Sequence, residues 1–298
     1  MRVGVDLGGT KIEAVVLSDS GQILARERVA TPGSYDEMLA ALVGKVEQAA
    51  GVKTGHVGIG MPGSLSPKTG LARNANSTWI NGRDILGDLK RVLARDVRVA
   101  NDANCFALSE ATDGAGAGAR VVFGVILGTG CGGGLVVDDK VIEGASGVGG
   151  EWGHNPLPWP RADEWPGPTC WCGKQGCLEK WISGTGFEDD YKRIAGTERD
   201  ARDIASRIPG GQGGSFLAFQ NLADRLARGL AMVINIVDPD VIVLGGGLSN
   251  IDQLYAAAQE RLALYVFSDV VKNRILKNVH GDSSGVRGAA WLWPAGDI

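Results

Sequence analysis

Hydrophobic positions recur every second residue at the start of the chain. Arg2–Asp6 alternates and is rich in β-branched residues, which predicts a strand. Leu7-Gly8-Gly9-Thr10-Lys11 is a tight turn and Ile12–Leu17 a second strand. Asp19-Ser20-Gly21 is a hairpin signal before a third strand over Gln22–Val29, so the chain opens as a β-meander. The period then changes. Met38, Leu42, Val46 and Ala49 fall on one face of a helix over Tyr35–Ala50. Val57–Met61 is a short buried strand ended by Pro62-Gly63, Asp84–Ala94 an amphipathic helix and Val97–Ala100 a strand. Asn101-Asp102-Ala103-Asn104 follows and opens a helix to Ala111, because Asn and Asp favour N-terminal caps. The run GAGAGA over Gly114–Ala119 is the best candidate for a domain boundary.

The pattern restarts beyond it. Val121–Leu127 reads as a strand, Gly128–Gly134 (GTGCGGG) as a glycine-rich turn and Leu135–Val137 as a strand. Asp138-Asp139 is a hairpin turn with a return strand over Lys140–Ile142. Two halves of similar pattern suggest an internal duplication. From Gly149 to Glu179 neither period is present, and a stretch this long without pattern is uncommon unless it is functional or disordered. Glu188–Ile194, Arg199–Ile208 and Phe216–Val237 then read as helices, with a flexible PGGQGG loop before the last. Val241–Leu244, Gly245-Gly246-Gly247 and a helix over Asn250–Leu264 make a strand–glycine–helix unit of the kind that faces phosphate. Ser284–Trp293 is a short apolar helix.

The unpatterned stretch carries four soft-metal ligands, His154, Cys170, Cys172 and Cys177. The spacing C-x-C-x4-C with an upstream His can close a tetrahedral zinc site, and zinc would replace the core this segment lacks. With five cysteines in a chain expected in the cytosol, such a cluster points to metal rather than disulfides. Cys105 and Cys131 are expected to be small buried thiols. The chain starts on a strand without a signal-peptide pattern, and no apolar run is long enough for a bilayer. A net charge of −4 gives no attraction to nucleic acid or anionic membrane, so neither is an expected partner. At 298 residues the chain can hold two domains.

Three glycine turns stand at strand ends, at Gly8–Lys11, Gly128–Gly134 and Gly245–Gly247. Phosphate needs close backbone approach and free N–H donors, which such turns supply. Two stretches, Gly58–Gly63 and Gly128–Gly133, fit G-x-G-x-x-G, but neither is expected to open a helix, as a dinucleotide fingerprint must. No P-loop motif is present. Asp6 and Asp102 end strands beside these turns. In phosphoryl transfer one carboxylate holds Mg²⁺ and another takes the proton of the attacking hydroxyl. Asp102 could also simply cap its helix. Five tryptophans (152, 159, 165, 171 and 181) crowd the cysteine segment, as packing, interface or a ring against a sugar face.

Asp6–Lys11 (DLGGTK), Asn101–Asn104 (NDAN), Gly130–Gly134 (GCGGG), Gly150–His154 (GEWGH) and Cys170–Glu179 (CWCGKQGCLE) together resemble the ROK family of sugar kinases, over essentially the whole chain. Asn74–Trp79, Glu151–Trp159, Ile182–Phe187 and His280–Trp293 look closer still to its Mak-type fructokinases. The resemblance implies an α/β, two-domain actin/hexokinase-like (ribonuclease H-like) fold with an inter-domain cleft. The expected domains are 1–116, with a helix at about 284–298 packing back on it, and 117–283 with the zinc loop. By the same resemblance Asp102 is the general base, Asn101, Glu151, His154 and Glu179 bind sugar hydroxyls, and Asp6 sits near Mg²⁺. Gly8, Gly9, Thr10, Lys11, Thr129, Gly130, Gly132, Gly133 and Gly134 hold ATP phosphates, and Gly245 and Gly246 approach the nucleotide. Zinc on His154, Cys170, Cys172 and Cys177 is structural. The expected activity is ATP-dependent fructokinase; N-acetylglucosamine, glucose and mannose are the alternative sugars. A non-catalytic sugar sensor, a zinc hydrolase and a repressor are the rival classes, the last disfavoured because nothing before Met1–Val5 could hold a helix-turn-helix. A homodimer is possible.

Overall fold

The computed structural model describes residues 1–51, 56–75 and 77–294. Asn76, within the Asn74–Trp79 stretch, and residues 295–298, at the end of the expected C-terminal segment, lie outside them. The chain divides into two compact units: residues 1–118, 134–150 and 279–298, and residues 119–133 and 151–278. Residues 134–150 thus fall in the first unit, whereas the sequence reading assigned them to the second.

The first unit opens with an antiparallel meander, β1 (Arg2–Leu7), β2 (Lys11–Leu17) and β3 (Ile23–Ala30), followed by α1 (Tyr35–Ala50). Next come β4 (Val57–Met61), a small hairpin of β5 (Ser64–Leu65) and β6 (Ala72–Arg73), α2 (Ile85–Leu93), β7 (Val97–Asn101) and α3 (Asp102–Thr112). The hairpin has no signature in the sequence beyond its flanking turns. The sheet order is β3-β2-β1-β4-β7, with β4 parallel to β1 and β7. Period-2 geometry sends alternate side chains to opposite faces. Val3, Val5, Ile12 and Ile59 pack with Met38 and Leu42 of α1 and Ile85 and Leu89 of α2. Val15 and Leu17 pack on the other face against Val286 and Ala290 of a helix from the far end of the chain, Ser284–Trp291. That helix lies so close to the sheet that a Cβ on Gly58 would stand 1.7 Å from the Ala289 carbonyl oxygen. Only glycine fits there, which explains the runs of small residues in VGIGM and SGVRGAAW.

In the second unit, β8 (Val121–Leu127) leads into β9 (Cys131–Val137), which ends in the first unit. β9 pairs there with β10 (Lys140–Val141) through a turn whose two aspartates, Asp138 and Asp139, both take positive φ. The helices are α4 (Glu179–Ile182), α5 (Gly184–Ala195), α6 (Ala201–Ser206) and the long α7 (Gly213–Val237), followed by β11 (Val241–Gly245), α8 (Gln253–Leu262) and β12 (Arg274–Lys277). The Ser284–Trp291 helix becomes α9. β8, β11 and β12 run parallel, in the sheet order β10-β9-β8-β11-β12. Two sequence expectations change here, and one strand is added. The helix over Arg199–Ile208 is shorter, because Asp200 caps it and Pro209 imposes a 3-10 turn. The helix after the last glycine run starts at Gln253, after a separate 3-10 turn at Gly247–Asn250. β12, with a single fully buried apolar side chain on a sheet edge, is too short to register as a strand by pattern. Among the described residues no helix is long and apolar enough to cross a membrane.

Candidate active site

In the first unit, alternation along β1 sends Asp6 to the α3 and α9 face, where Gly60, Gly285 and Cys105 surround it. Burial, and then the neighbouring Asp102 carboxylate, push the Asp6 carboxyl up to about 6, against the pull of Lys11. β7 ends at Asn101, whose Oδ1 accepts from the Ala103 amide at 2.9 Å and whose Nδ2 donates to the Gly63 carbonyl at 2.9 Å. Asn101 is therefore the N-cap of α3. Asp102 is the exposed first residue of the helix, with Oδ1 2.8 Å from the Ala103 amide. The capping role that Asp102 could have filled is already taken, and its carboxylate stands at the positive end of the helix dipole. The first glycine turn is closed by the Gly8 amide on the Lys11 carbonyl at 2.9 Å, with the Thr31 hydroxyl on the Gly8 carbonyl at 2.7 Å. Gly9 and Thr10 are exposed at its tip. Lys11 lies 3.6 Å from Glu13, a buried carboxylate that also pairs with Arg26 and Arg28 at 2.5 and 2.6 Å. Sequence reasoning missed Glu13, although a lone carboxylate inside the apolar run of β2 was a visible signal.

In the second unit the turn of the second glycine run is shorter than expected. It spans only Gly128–Gly130, while Gly132 and Gly133 are already in β9; Gly134 continues that strand within the first unit. Gly246 has a φ of +80°, and a Cβ there would meet the Leu127 carbonyl at 2.6 Å. The third glycine run is thereby laid against the second, with Gly246 beside Leu127 and Gly128 and Gly245 paired with Ile126. The α5 N-terminus joins them: the Gly184 amide donates to the Gly128 carbonyl at 2.7 Å and the Thr185 hydroxyl to the Thr129 carbonyl at 3.0 Å.

Glu151 is exposed and precedes a single 3-10 turn, Trp152–His154. Trp152 is buried edge-on against Phe123, and its indole N–H donates to the Gly132 carbonyl at 3.1 Å, which fastens the turn to β9. His154 turns Nδ1 toward the Cys170 sulfur at 3.7 Å, while Cys172 and Cys177 lie 3.6 Å apart. One ligand atom from each of the four residues falls within 4.8 Å of every other. Tetrahedral zinc with Zn–S bonds of about 2.3 Å needs sulfur separations of about 3.8 Å, so this donor set fits the ion. Burial, with the thiols of Cys172 and Cys170, pushes the Cys177 thiol up to about 12. A cation arriving there displaces protons as it binds. Glu179, at the start of α4, accepts from the Cys131 amide at 3.0 Å through Oε2 and from the Trp171 indole at 2.9 Å through Oε1. The four metal-type ligands and Glu179 are thus one cluster.

The segment between His154 and Cys170 looked unpatterned because charge, rather than hydrophobicity, holds it. Buried Glu164 receives Arg225 and Arg228 from α7 at 2.8 Å each and the Arg161 amide at 2.9 Å. Arg225 reaches Asp190 at 3.1 Å, Arg228 reaches Asp224 at 3.1 Å and the Trp159 carbonyl at 2.9 Å, and Trp159 stacks on Tyr265. Burial alone would raise the Glu164 carboxyl, but hydrogen bonds from Arg228, the Arg161 amide and Arg225 bring it down to about 2.

The ROK family profile matches residues 2–295. The N-acetyl-D-glucosamine kinase of Pectobacterium atrosepticum is 41% identical over 300 residues, 98% of each chain. Among solved structures, the ROK hexokinase of Thermus thermophilus superposes with a TM-score of 0.86 at 32% identity, covering 97% of this chain and 96% of the other. The ROK family glucokinase of Streptomyces griseus, in complex with glucose and AMPPNP, gives 0.78 at 28% identity and 98% coverage of both. A profile match over nearly the full length, joined to 41% identity with a curated relative, leaves one conclusion: this chain belongs to the ROK family.

Proposed function

We propose that this protein is an ATP-dependent sugar kinase whose substrate is N-acetylglucosamine. The carrying observation is the 41% identity, over 98% of both chains, to a relative named as an N-acetyl-D-glucosamine kinase. Similarity of that extent outweighs the short stretches that suggested a fructokinase, so fructose gives way to what was an alternative sugar. Asp102 accepts the proton of the attacking hydroxyl, and its exposure at the start of α3 suits a group that must reach a substrate. Asn101, Glu151, His154 and Glu179 hold the sugar hydroxyls. His154 keeps Nδ1 for the cysteine cluster and offers Nε2 to the sugar. The glycine turns at Gly8–Lys11 and Thr129–Gly134 approach the ATP phosphates, with the exposed Gly9 and Thr10 offering amides because that of Gly8 is taken by the Lys11 carbonyl. Gly245 and Gly246 lie beside the nucleotide, and Asp6 serves the Mg²⁺ that accompanies ATP. Zinc, when bound by Cys170, Cys172, Cys177 and His154, supplies a structural crosslink. The four residues would fill its tetrahedral positions and leave no open site for a substrate. Catalysis is then mainly positioning and charge neutralisation. The test follows ADP release from MgATP with N-acetylglucosamine, D-glucose, D-mannose and D-fructose. Highest kcat/KM on N-acetylglucosamine is expected. Preference for another hexose would keep the kinase and discard this substrate, and no turnover in zinc-loaded protein would overturn both.

A further inference from the structure

Trp171 stands between Cys170 and Cys172 of the metal-type cluster, and neither metal binding nor proton transfer uses it. Its side chain is 69% exposed, so it contributes little to any core. Yet it is not loose. Its indole N–H donates to Glu179 Oε1 at 2.9 Å. Its ring meets the His154 imidazole edge-on, with centroids 4.9 Å apart and planes at 85°. The backbone around it is a closed turn, with the Gly173 amide on the Cys170 carbonyl at 3.0 Å and the Cys170 amide on the Lys174 carbonyl at 2.8 Å. A large indole is thus held in one orientation by two of the side chains proposed to bind the sugar, with most of its surface open. Trp165 is as exposed, at 73%, but lies outside the cysteine turn; the remaining tryptophans of this region behave differently. Trp152 and Trp181 are buried, and Trp159 lies on Tyr265.

Binding sites for small polar molecules combine a few fixed polar groups with aromatic surface, and Trp provides rigid area at small conformational cost. A hexose has a face of C–H groups between its hydroxyls, and an N-acetyl group adds a methyl. We infer that Trp171 is a specificity-determining residue that contacts the sugar: its ring takes the apolar side of an N-acetylated hexose while its N–H holds Glu179 toward the hydroxyls. The inference rests on the sugar-kinase reading for Glu179 and His154, and it adds a further side chain to that site. The carboxylate is not exhausted by the indole, since each oxygen has a second acceptor position.

Three variants test it, each checked for zinc content: Trp171→Leu, Trp171→Phe and Trp171→Ala. For Trp171→Leu the expected result is a KM for N-acetylglucosamine about tenfold higher, with the KM for ATP within about twofold and kcat within about threefold of wild type. Trp171→Phe, which keeps a ring, should recover most of the sugar KM. Selectivity for N-acetylglucosamine over glucose should fall in the order Trp, Phe, Leu. Unchanged sugar KM and selectivity in Trp171→Leu would overturn the inference, as would a parallel rise in the KM for ATP, the mark of a scaffold residue. Should the Leu and Ala variants lose zinc, Trp171→Phe decides through sugar binding without ATP. Calorimetry follows binding while tryptophan emission reports the contact. Emission that responds to sugar in wild type but not in a Phe variant that still binds supports the contact; an undiminished response removes it. The wild-type protein separates the two readings. A Trp171-dependent emission change without phosphoryl transfer would leave the platform standing and remove the kinase.

Discussion

At the scale of single residues, Asn101 and Asp102 divide two tasks that either could have filled. Because Asn101 caps α3, Asp102→Asn should leave the helix intact and remove only the proton acceptor. The expected result is a kcat at least about 100-fold lower with sugar affinity within about threefold, measured by steady-state kinetics and calorimetry. Near-normal turnover would take the base role from Asp102. Asp6 sets a pH dependence. Its carboxyl is raised from 3.8 to about 6, so the folded state holds a proton that the unfolded chain has lost over that interval. The stability this gives is complete below pH 3.8 and is lost as pH rises through about 6. Asp6→Asn should therefore melt a few degrees higher, roughly 2–4 °C, at pH 7.5 while MgATP turnover falls. In wild type, kcat/KM for MgATP should climb through about pH 6; a flat profile would mean the charged form is not required. The glycine turns and both aspartates were legible because their chemistry is local. Glu13 stood out in its apolar run, but its partners Arg26 and Arg28 come from another strand and were not legible.

At the scale of elements, strands and helices followed the hydrophobic periods wherever burial is one-sided. α7 is the instructive exception. Its apolar stripe was read correctly as a helix, but Asp224, Arg225 and Arg228, which pattern reasoning assigns to solvent, are buried against the 156–169 segment. Charge pairs do not reveal partners sixty residues away, so the segment looked structureless. Glu164 gives this a measurable form. Its carboxyl sits at about 2 against an ordinary 4.5, so its contribution is complete above pH 4.5 and is lost as pH falls toward 2. Wild type should lose melting temperature steeply below pH 4.5, whereas Glu164→Gln should be destabilised by about 3 kcal/mol at pH 7 and respond less to acid. Equal acid slopes would put the sensitivity elsewhere. The cysteine turn is a second element without apolar support. Removing bound zinc by chelation should lower both melting temperature and turnover, and readdition should restore them. Unchanged melting after verified removal would contradict a structural metal.

At the scale of the whole chain, the repeated strand–turn–strand pattern made two α/β units legible, but not which segments belong to which. The chain passes from one unit to the other after Gly118, Gly133, Gly150 and Asn278. One buried carboxylate, Glu110, accepts from the Ala115 amide, the Val279 and His280 amides and the Ser284 hydroxyl, anchoring the segments next to two of those passages. α9 then closes the face of the first sheet at Gly4 and Gly58. Gly58→Ala, whose methyl has no space under the Ala289 carbonyl, should cost about 3 kcal/mol, and an unaltered melting curve would show that α9 can shift away. This packing also has a consequence for biosynthesis. β1, β2 and β4 leave the ribosome long before the helix that covers them, which is encoded after residue 283. During translation the apolar side of Val15 and Leu17 must wait, uncovered, until the residues beyond 283 have been made. The first unit to be made is the last to be finished, and nascent-chain protection by chaperones should matter most for that half of the molecule.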